Sequence, residues 1–357
     1  MRKNLWKWLV PAIVLVNACS KDDNVAPVTP VINPASGLFV LDEGAFGTNS
    51  AMLTYFDIAT STASDDIYKQ QNGTSLGDVG NDAINYGGKM YIVVNNSNKI
   101  VVTDAKTAKL ISTIALNQPR SIISYKDKVI ATSWDGNVAV IDTMALTISK
   151  TIKVGSNPEG LAVQGSNIYV VNSGGLNAPA YDNTVSVIDG NSWTETKKIT
   201  IGPNGQKVAV NSAGNVLVST FGDYTAKNPP RIYIIDAANN TLKDSIDKPV
   251  SYFTVFNDTA YSFYTEYDEN YQLKGITYPV IDTKTKAVIR ENFITDGTKI
   301  VYPYGISIDE NNGDVYITDA KDFIASGEVF CFSREGKFKF KFSVTPGVGP
   351  KKVLFLR

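Results

Sequence analysis

The 357-residue chain contains no histidine. Imidazole is the base of Ser-His-Asp and Cys-His centres and a standard nitrogen ligand of protein-bound zinc, copper and haem. Those chemistries are excluded together, and no imidazole of this protein can reach the metal of a bound cofactor. Cysteine is nearly as scarce. Cys19 and Cys331 are the only two, and because Cys19 belongs to an N-terminal address, no intramolecular disulfide is expected. Charge of one sign is not in excess either: 34 Lys and Arg against 35 Asp and Glu leave a net charge of −1. Nucleic-acid binders draw affinity from basic surfaces that displace counterions, so nucleic acid is not an expected partner. The apolar run Leu5–Val16 is shorter than the ~20 residues of a membrane-spanning helix. What remains, 43% hydrophobic and 19% charged, has the composition of a folded globular chain.

Positive charge at Arg2, Lys3 and Lys7 around that apolar run matches the layout of a signal peptide. The run ends at Val16-Asn17-Ala18-Cys19, which resembles a lipobox, where bacterial lipoproteins are acylated on cysteine and cleaved before it. Ser20-Lys21-Asp22-Asp23 follows and resembles the acidic export signal of Bacteroidetes lipoproteins, implying the outer face of the outer membrane. Pro27, Pro30 and Pro34 then stiffen an extended tether. The expected division is a signal peptide over 1–18, a lipidated Cys19 with its tether over 19–36, and a folded domain over 37–357.

Internal repeats dominate that domain. Apolar strands ending in aspartate recur roughly every 40–50 residues, at Leu53–Asp57, Ile100–Asp104, Val138–Asp142, Val185–Asp189, Ile232–Asp236 and Tyr278–Asp282, with a diverged copy at Val329–Ser333. If this is strand c, a strand b precedes it (Met90–Val94, Ile168–Val171, Val315–Thr318), a strand a precedes that (Ser121–Ser124, Leu161–Val163, Gly305–Ile308), and a strand d follows (Ser149–Val154). The segment Gly37–Leu41 reads as a strand b with no strand a before it, and Lys352–Leu356 as a strand a with nothing after it. The two ends complete one blade. The expected fold is an all-β, seven-bladed propeller of four-stranded blades, its first blade completed by the C-terminal strand. The repeated aspartates are read as turn formers that bond the backbone two residues on, and Cys331 as a small buried hydrophobe.

Function is sought on the opposite face, where b–c and d–a loops emerge together. The b–c loops Asp42–Ser50, Asn172–Asn183, Phe221–Arg231, Tyr264–Gly275 and Asp319–Glu328 are long and dissimilar, whereas those at Asn95 and Trp134 are minimal. They carry Phe46, Trp134, Tyr181, Phe221, Tyr224, Tyr264, Tyr267, Tyr271 and Phe323. The d–a loops are expected to place Asp82, Arg120, Glu159, Gln206, Tyr252, Tyr304 and Lys351 or Lys352 around the channel mouth. Mixed signs and amides suit neither a carboxylate metal cage nor an arginine phosphate clamp. The candidate ligand-binding set is Phe46, Asn95, Arg120, Trp134, Glu159, Tyr181, Gln206, Phe221, Tyr264, Tyr304, Asp319 and Lys351, with no catalytic residue and no metal ligand. Arg120 is the candidate for a ligand phosphate.

The segments Val138–Gly155 and Val185–Gly202, in which Val-Ile-Asp-Thr and Val-Ile-Asp-Gly lead into an apolar strand ending in Gly, resemble the YncE-like propeller family over residues 37–357. With the lipobox and the Cys19–Asp23 start, the chain resembles the surface lipoprotein propellers of Bacteroides of the BtuG type. That resemblance implies cobalamin (vitamin B12) and other corrinoids as bound ligand rather than catalyst, and lipid anchoring in the outer membrane. It also implies hand-off to a TonB-dependent transporter of the BtuB type. Two other readings stay open. Glu43, Asn95, Asn172 and Asp319 lie at strand-b ends, as do the ligands of cation-dependent lactone-hydrolase propellers, and aromatic loops also suit glycans.

Anchoring is directly testable. Cys19→Ala is expected to abolish lipid labelling and membrane retention, while replacing Asp22 and Asp23 by Ala is expected to hide the protein from protease added to whole cells. An acidic-pair variant still cleaved on intact cells would refute the export signal.

Overall fold

The computed structural model describes residues 32–33, 36–225, 227–268 and 272–356. The segments expected to be a signal peptide and most of a tether, with Cys19, and also Tyr271, lie outside the described residues. Seven antiparallel sheets are arranged as consecutive blades, each with strands in the order a-b-c-d. In blade 1, strand a is the C-terminal segment Pro350–Phe355, followed by Gly37–Asp42, Met52–Asp57 and Thr62–Ser64. Leu38 pairs with Phe355 and Val40 with Val353. The seven-bladed propeller and its closure by the C-terminal strand are as expected, with that strand starting at Pro350 rather than Lys352.

Burial explains the repeat. Strands b and c are covered on both faces by neighbouring blades, so they read as nearly unbroken apolar runs: every residue of Gly37–Asp42 is buried, as are Met90–Val94 of blade 2. Strand d is the outer edge, and Thr147–Lys153 and Thr194–Thr200 are largely exposed and lysine-bearing, which discourages pairing with another chain. The apolar core therefore sits between blades. Phe39 and Leu41 of blade 1 pack with Ile92 and Val94 of blade 2, and Leu38 and Val353 pack with Tyr316 and Val329 of blade 7.

The strand-c aspartates behave as turn formers. Asp57, Asp104, Asp142, Asp189, Asp236 and Asp282 each accept from the backbone N–H two residues on, at 2.8–3.0 Å. Cys331 is fully buried in strand c of blade 7, and burial pushes its thiol up to about 12.

Two elements depart from the expected pattern. A six-residue helix, Ile67–Asn72, joins blades 1 and 2; the Asp66 side chain caps its first turn, Gly73 in the left-handed region ends it, and Ile67 and Tyr68 enter the core. It is too short to show a helical period of its own. In blade 6, strand b runs on as Thr259–Tyr267 and pairs over its last residues with Leu273–Thr277. Tyr264, expected in a loop, is therefore a strand residue opposite Thr277. Pro279 has no N–H to give the ladder, and strand c of this blade shrinks to Val280–Asp282.

The site is prepared by one further feature. In six blades the pairing of strands a and b shifts at the start of strand a, between Gly80 and Asp82, Pro119 and Ile122, Pro158 and Leu161, Gly205 and Val208, Pro303 and Gly305, and at Pro350 and Lys352. Such a bulge re-aims the side chain it contains.

Deleting the chain from Pro350 onward is expected to lower the melting temperature sharply or cause aggregation. It exposes an inner strand edge and removes Val353 and Leu354, both at most 5% exposed. Each such side chain is worth roughly 1.5–3 kcal/mol when fully buried, against ~5–15 kcal/mol for a whole domain. A truncated protein melting like the full chain would refute closure by this strand.

Candidate functional site

The residue after the first position of strand a is Asn81, Arg120, Glu159, Gln206, Tyr304 and Lys351 in the six bulged blades, and Tyr252 begins the seventh. Six of these were expected at the channel mouth. Blade 2 differs: Asn81 takes the position assigned to Asp82, which pairs opposite Val93 one step deeper. The signal was present as Pro or Gly followed by the mouth residue, from Gly80-Asn81 to Pro350-Lys351.

Most of this ring is one bonded chain. Arg120 Nε donates to both Glu159 oxygens at 3.1 and 3.2 Å, and its Nη1 donates to Asn81 Oδ1 at 2.8 Å. The guanidinium lies 4.1 Å from the Trp134 ring centroid, and Trp134 Nε1 donates to Glu159 Oε1 at 2.9 Å. On the other side, Lys351 Nζ donates to Asn81 Oδ1 at 2.9 Å and to Glu43 Oε1 at 3.0 Å, while the Tyr304 hydroxyl donates to Glu43 Oε2. Two carboxylates thus meet two cations, and the floor is charge-balanced. Burial acts to lower the Arg120 pKa, but Glu159 beside it outweighs that and the net shift is upward. Burial, with Glu43 adjacent, pushes the Tyr304 phenol well up, so it stays a donor. The remaining arc is Gln206, bonded to Asn204 at 2.7 Å, and Tyr252, edge-on to Phe221 at 6.1 Å.

Aromatic groups form the rim. Phe323 meets Tyr302 and Tyr304 edge-on at 5.1 and 5.0 Å, and the Tyr302 hydroxyl bonds that of Tyr267. Tyr181 meets Tyr224 at 6.0 Å, and Phe46 stands 78% exposed. The structure therefore gathers Arg120, Trp134, Glu159, Tyr304 and Lys351 into one network and leaves Phe46, Tyr181 and Phe221 around it. Asn81, Glu43 and Tyr302 are network or rim members absent from the candidate set.

Other expectations are corrected. Asn95 is buried and donates to the Pro119 carbonyl at 3.0 Å, bracing the next d–a turn. Asp319, 1% exposed, accepts from the N–H groups of Val301, Tyr302 and Lys321 at 2.8–2.9 Å. Asn172 accepts from the Gly155 N–H and donates to Thr184 and Ser186. These three are scaffold braces whose polar atoms are committed inward. Glu43 is likewise engaged, by Lys351 and Tyr304, and among the described residues no group of three His, Cys, Asp or Glu side chains could hold a metal ion. Nor is Arg120 an unengaged cation, since a phosphate there would compete with Glu159.

Beneath the ring runs a central cavity of about 570 Å³ lined by strand-a residues of the blades. Its upper tier holds Asp82, which accepts from Lys352 Nζ at 2.5 Å and Ser121 Oγ at 2.9 Å, together with Lys207.

A family model described as a domain of unknown function, DUF5074, matches residues 36–338. The chain belongs to that family. Among solved structures, this DUF5074 propeller resembles a quinoprotein alcohol dehydrogenase-like protein of Bacteroides thetaiotaomicron (TM-score 0.66, 16% identity, covering 91% of this chain and 79% of that one). It also resembles the hydrazine synthase of Kuenenia stuttgartiensis (TM-score 0.60, 17% identity, covering 70% and 76%). A computationally designed protein is similar at TM-score 0.55 and 13% identity, covering 85% and 87%. At such identities the likeness concerns the scaffold. A search of curated proteins finds no match.

The ring is expected to act as a structural unit. Arg120 and Glu159 are only 16% and 12% exposed, and removing one partner of a buried pair costs roughly 3 kcal/mol or more. Arg120→Ala should lose about that much in denaturant unfolding, and Glu159→Gln less, because the amide still accepts from Trp134. An Arg120→Ala protein as stable as the parent would refute the coupling.

Proposed function

We propose that this propeller is a lipid-anchored, surface-exposed outer-membrane receptor that binds cobalamin and other corrinoids on its loop face and delivers them to a TonB-dependent transporter of the BtuB type. The observation that carries the reading is the charge-balanced floor, dense in hydrogen-bonding groups and framed by aromatic side chains. A corrinoid is a large, nearly neutral ring bordered by amides, with one phosphate. Amide-rich ligands gain from fixed donors and acceptors such as Gln206, Tyr252 and Glu159, while their apolar ring faces gain from contact with Tyr181, Phe221 and Phe323. The absence of histidine fits capture without exchange of the vitamin's own lower ligand.

Delivery is supported by the outermost loop tips. Phe46, Leu176, Tyr224 and Ile324 are 60–83% exposed on b–c loops of four different blades. A crown of apolar tips around a ligand bowl suits closure onto a protein partner once the bowl is filled.

Calorimetric titration of residues 19–357 with cyanocobalamin tests the ligand. Saturable binding is expected, weakened by about tenfold or more in Trp134→Ala and less in Tyr181→Ala, since an aromatic contact is worth roughly 0.5–1.5 kcal/mol beyond its buried area. Asp142→Asn on the opposite face should leave affinity unchanged. No heat with any corrinoid, alongside binding on a glycan array, would overturn the reading in favour of a sugar-binding propeller.

A further inference from the structure

We infer that the central cavity under the ring is a second ligand site, for a small oxyanion such as inorganic phosphate or a short carboxylate, held by Lys207. Lys207 lines this cavity with Asp82 and Lys352. Among the described residues, the other two lysines of the cavity are paired: Lys351 with Glu43 at 3.0 Å and Lys352 with Asp82 at 2.5 Å. Among the described residues, Lys207 Nζ has no carboxylate within 4 Å and no hydrogen-bond acceptor; its contact is the face of Tyr252, 5.1 Å from the ring centroid. Asp82 cannot serve both amines, because its oxygens already accept from Lys352, Ser121 and the N–H groups of Ile122 and Ala83.

One ammonium is thus left without a contact partner in a cavity that is open at its far end, where the carboxylate of Glu310 also lines the wall. A buried ammonium without a counter-charge is costly, and burial pulls Lys207 down to about 8, against the attraction of Asp82. An oxyanion would supply the missing charge and acceptors together. The hydroxyls of Thr254 and Ser307 line the same cavity and offer donors to the remaining oxygens. The cavity reaches solvent at the far end of strand a, where Asn85, Ser124 and Glu310 are exposed. The site is therefore separate from the loop face and does not rest on the corrinoid reading.

The groups facing Lys207 are Asp82, Lys351, Glu159 and Lys352, with the Tyr252 phenol, itself pushed up by burial. Because Lys207 titrates near 8, anion binding should weaken as pH rises through that value. The test is a melting-temperature titration of residues 19–357 with phosphate, sulfate or acetate at constant ionic strength set with chloride. A saturable rise is expected for at least one anion, and which anion acts separates a phosphate site from a carboxylate site. Lys207→Met removes the charge while keeping the chain's bulk, so it should fold normally and bind at least about tenfold more weakly. Reductive methylation with carbon-13 gives a second readout, in which the Lys207 signal titrates near 8 and moves upward with anion. A saturable shift retained in Lys207→Met, or none with any of the three anions, would overturn the site.

Discussion

Pairing between Gly37–Asp42 and Pro350–Phe355 joins the two ends of the folded domain in one sheet, and everything else about the molecule depends on it. The apolar layers lie between blades, so each blade is half of two cores, and an unclosed array would leave two of those halves bare. Closure is also the step that completes the ring. Lys351 comes from the last strand and Glu43 from the first b–c loop, and their contact bridges the two sides of the polar chain.

The floor itself is a compromise between rigidity and reach. Arg120, Glu159, Lys351 and Glu43 satisfy one another, which spares the protein four unpaired charges in a place that water reaches poorly. The same pairing means that no single group offers a bare charge to a ligand. What the surface presents is a set of oriented dipoles and π faces, suited to a broad neutral molecule. Among the described residues, a cation without such a partner appears one tier deeper, at Lys207.

Scaffold features were legible because each rests on backbone chemistry that repeats. An aspartate at the end of strand c fixes a turn in blade after blade, and Gly37–Leu41 and Lys352–Leu356 declare themselves as halves of one sheet. Site residues were legible only where the blade frame carried them: Arg120, Glu159, Tyr304 and Lys351 sit where the repeat puts them. Asn81 and Asp82 were exchanged because a bulge, invisible in an apolar pattern, moves the frame by one. Asn95 and Asp319 looked like ligand residues because an amide or carboxylate at a loop start reads the same whether it faces solvent or clamps the neighbouring backbone. Tyr264 was misplaced because the hairpin Thr259–Thr277 keeps its pairing only by extending past the blade, a choice made between strands and not within one.

The bulge at the head of strand a has a consequence for how such a site changes over time. Every blade presents one side chain to the floor, in six of them from a backbone held by a Pro or Gly and by the sheet behind it, so the identity of that residue can differ from blade to blade. The floor works as a short word of seven letters, one from each blade. Its grammar lies in the coupling: Arg120 with Glu159, and Lys351 with Glu43 of the b–c loop, can be rewritten only as pairs, while Gln206 and Tyr252 are open to single-letter change.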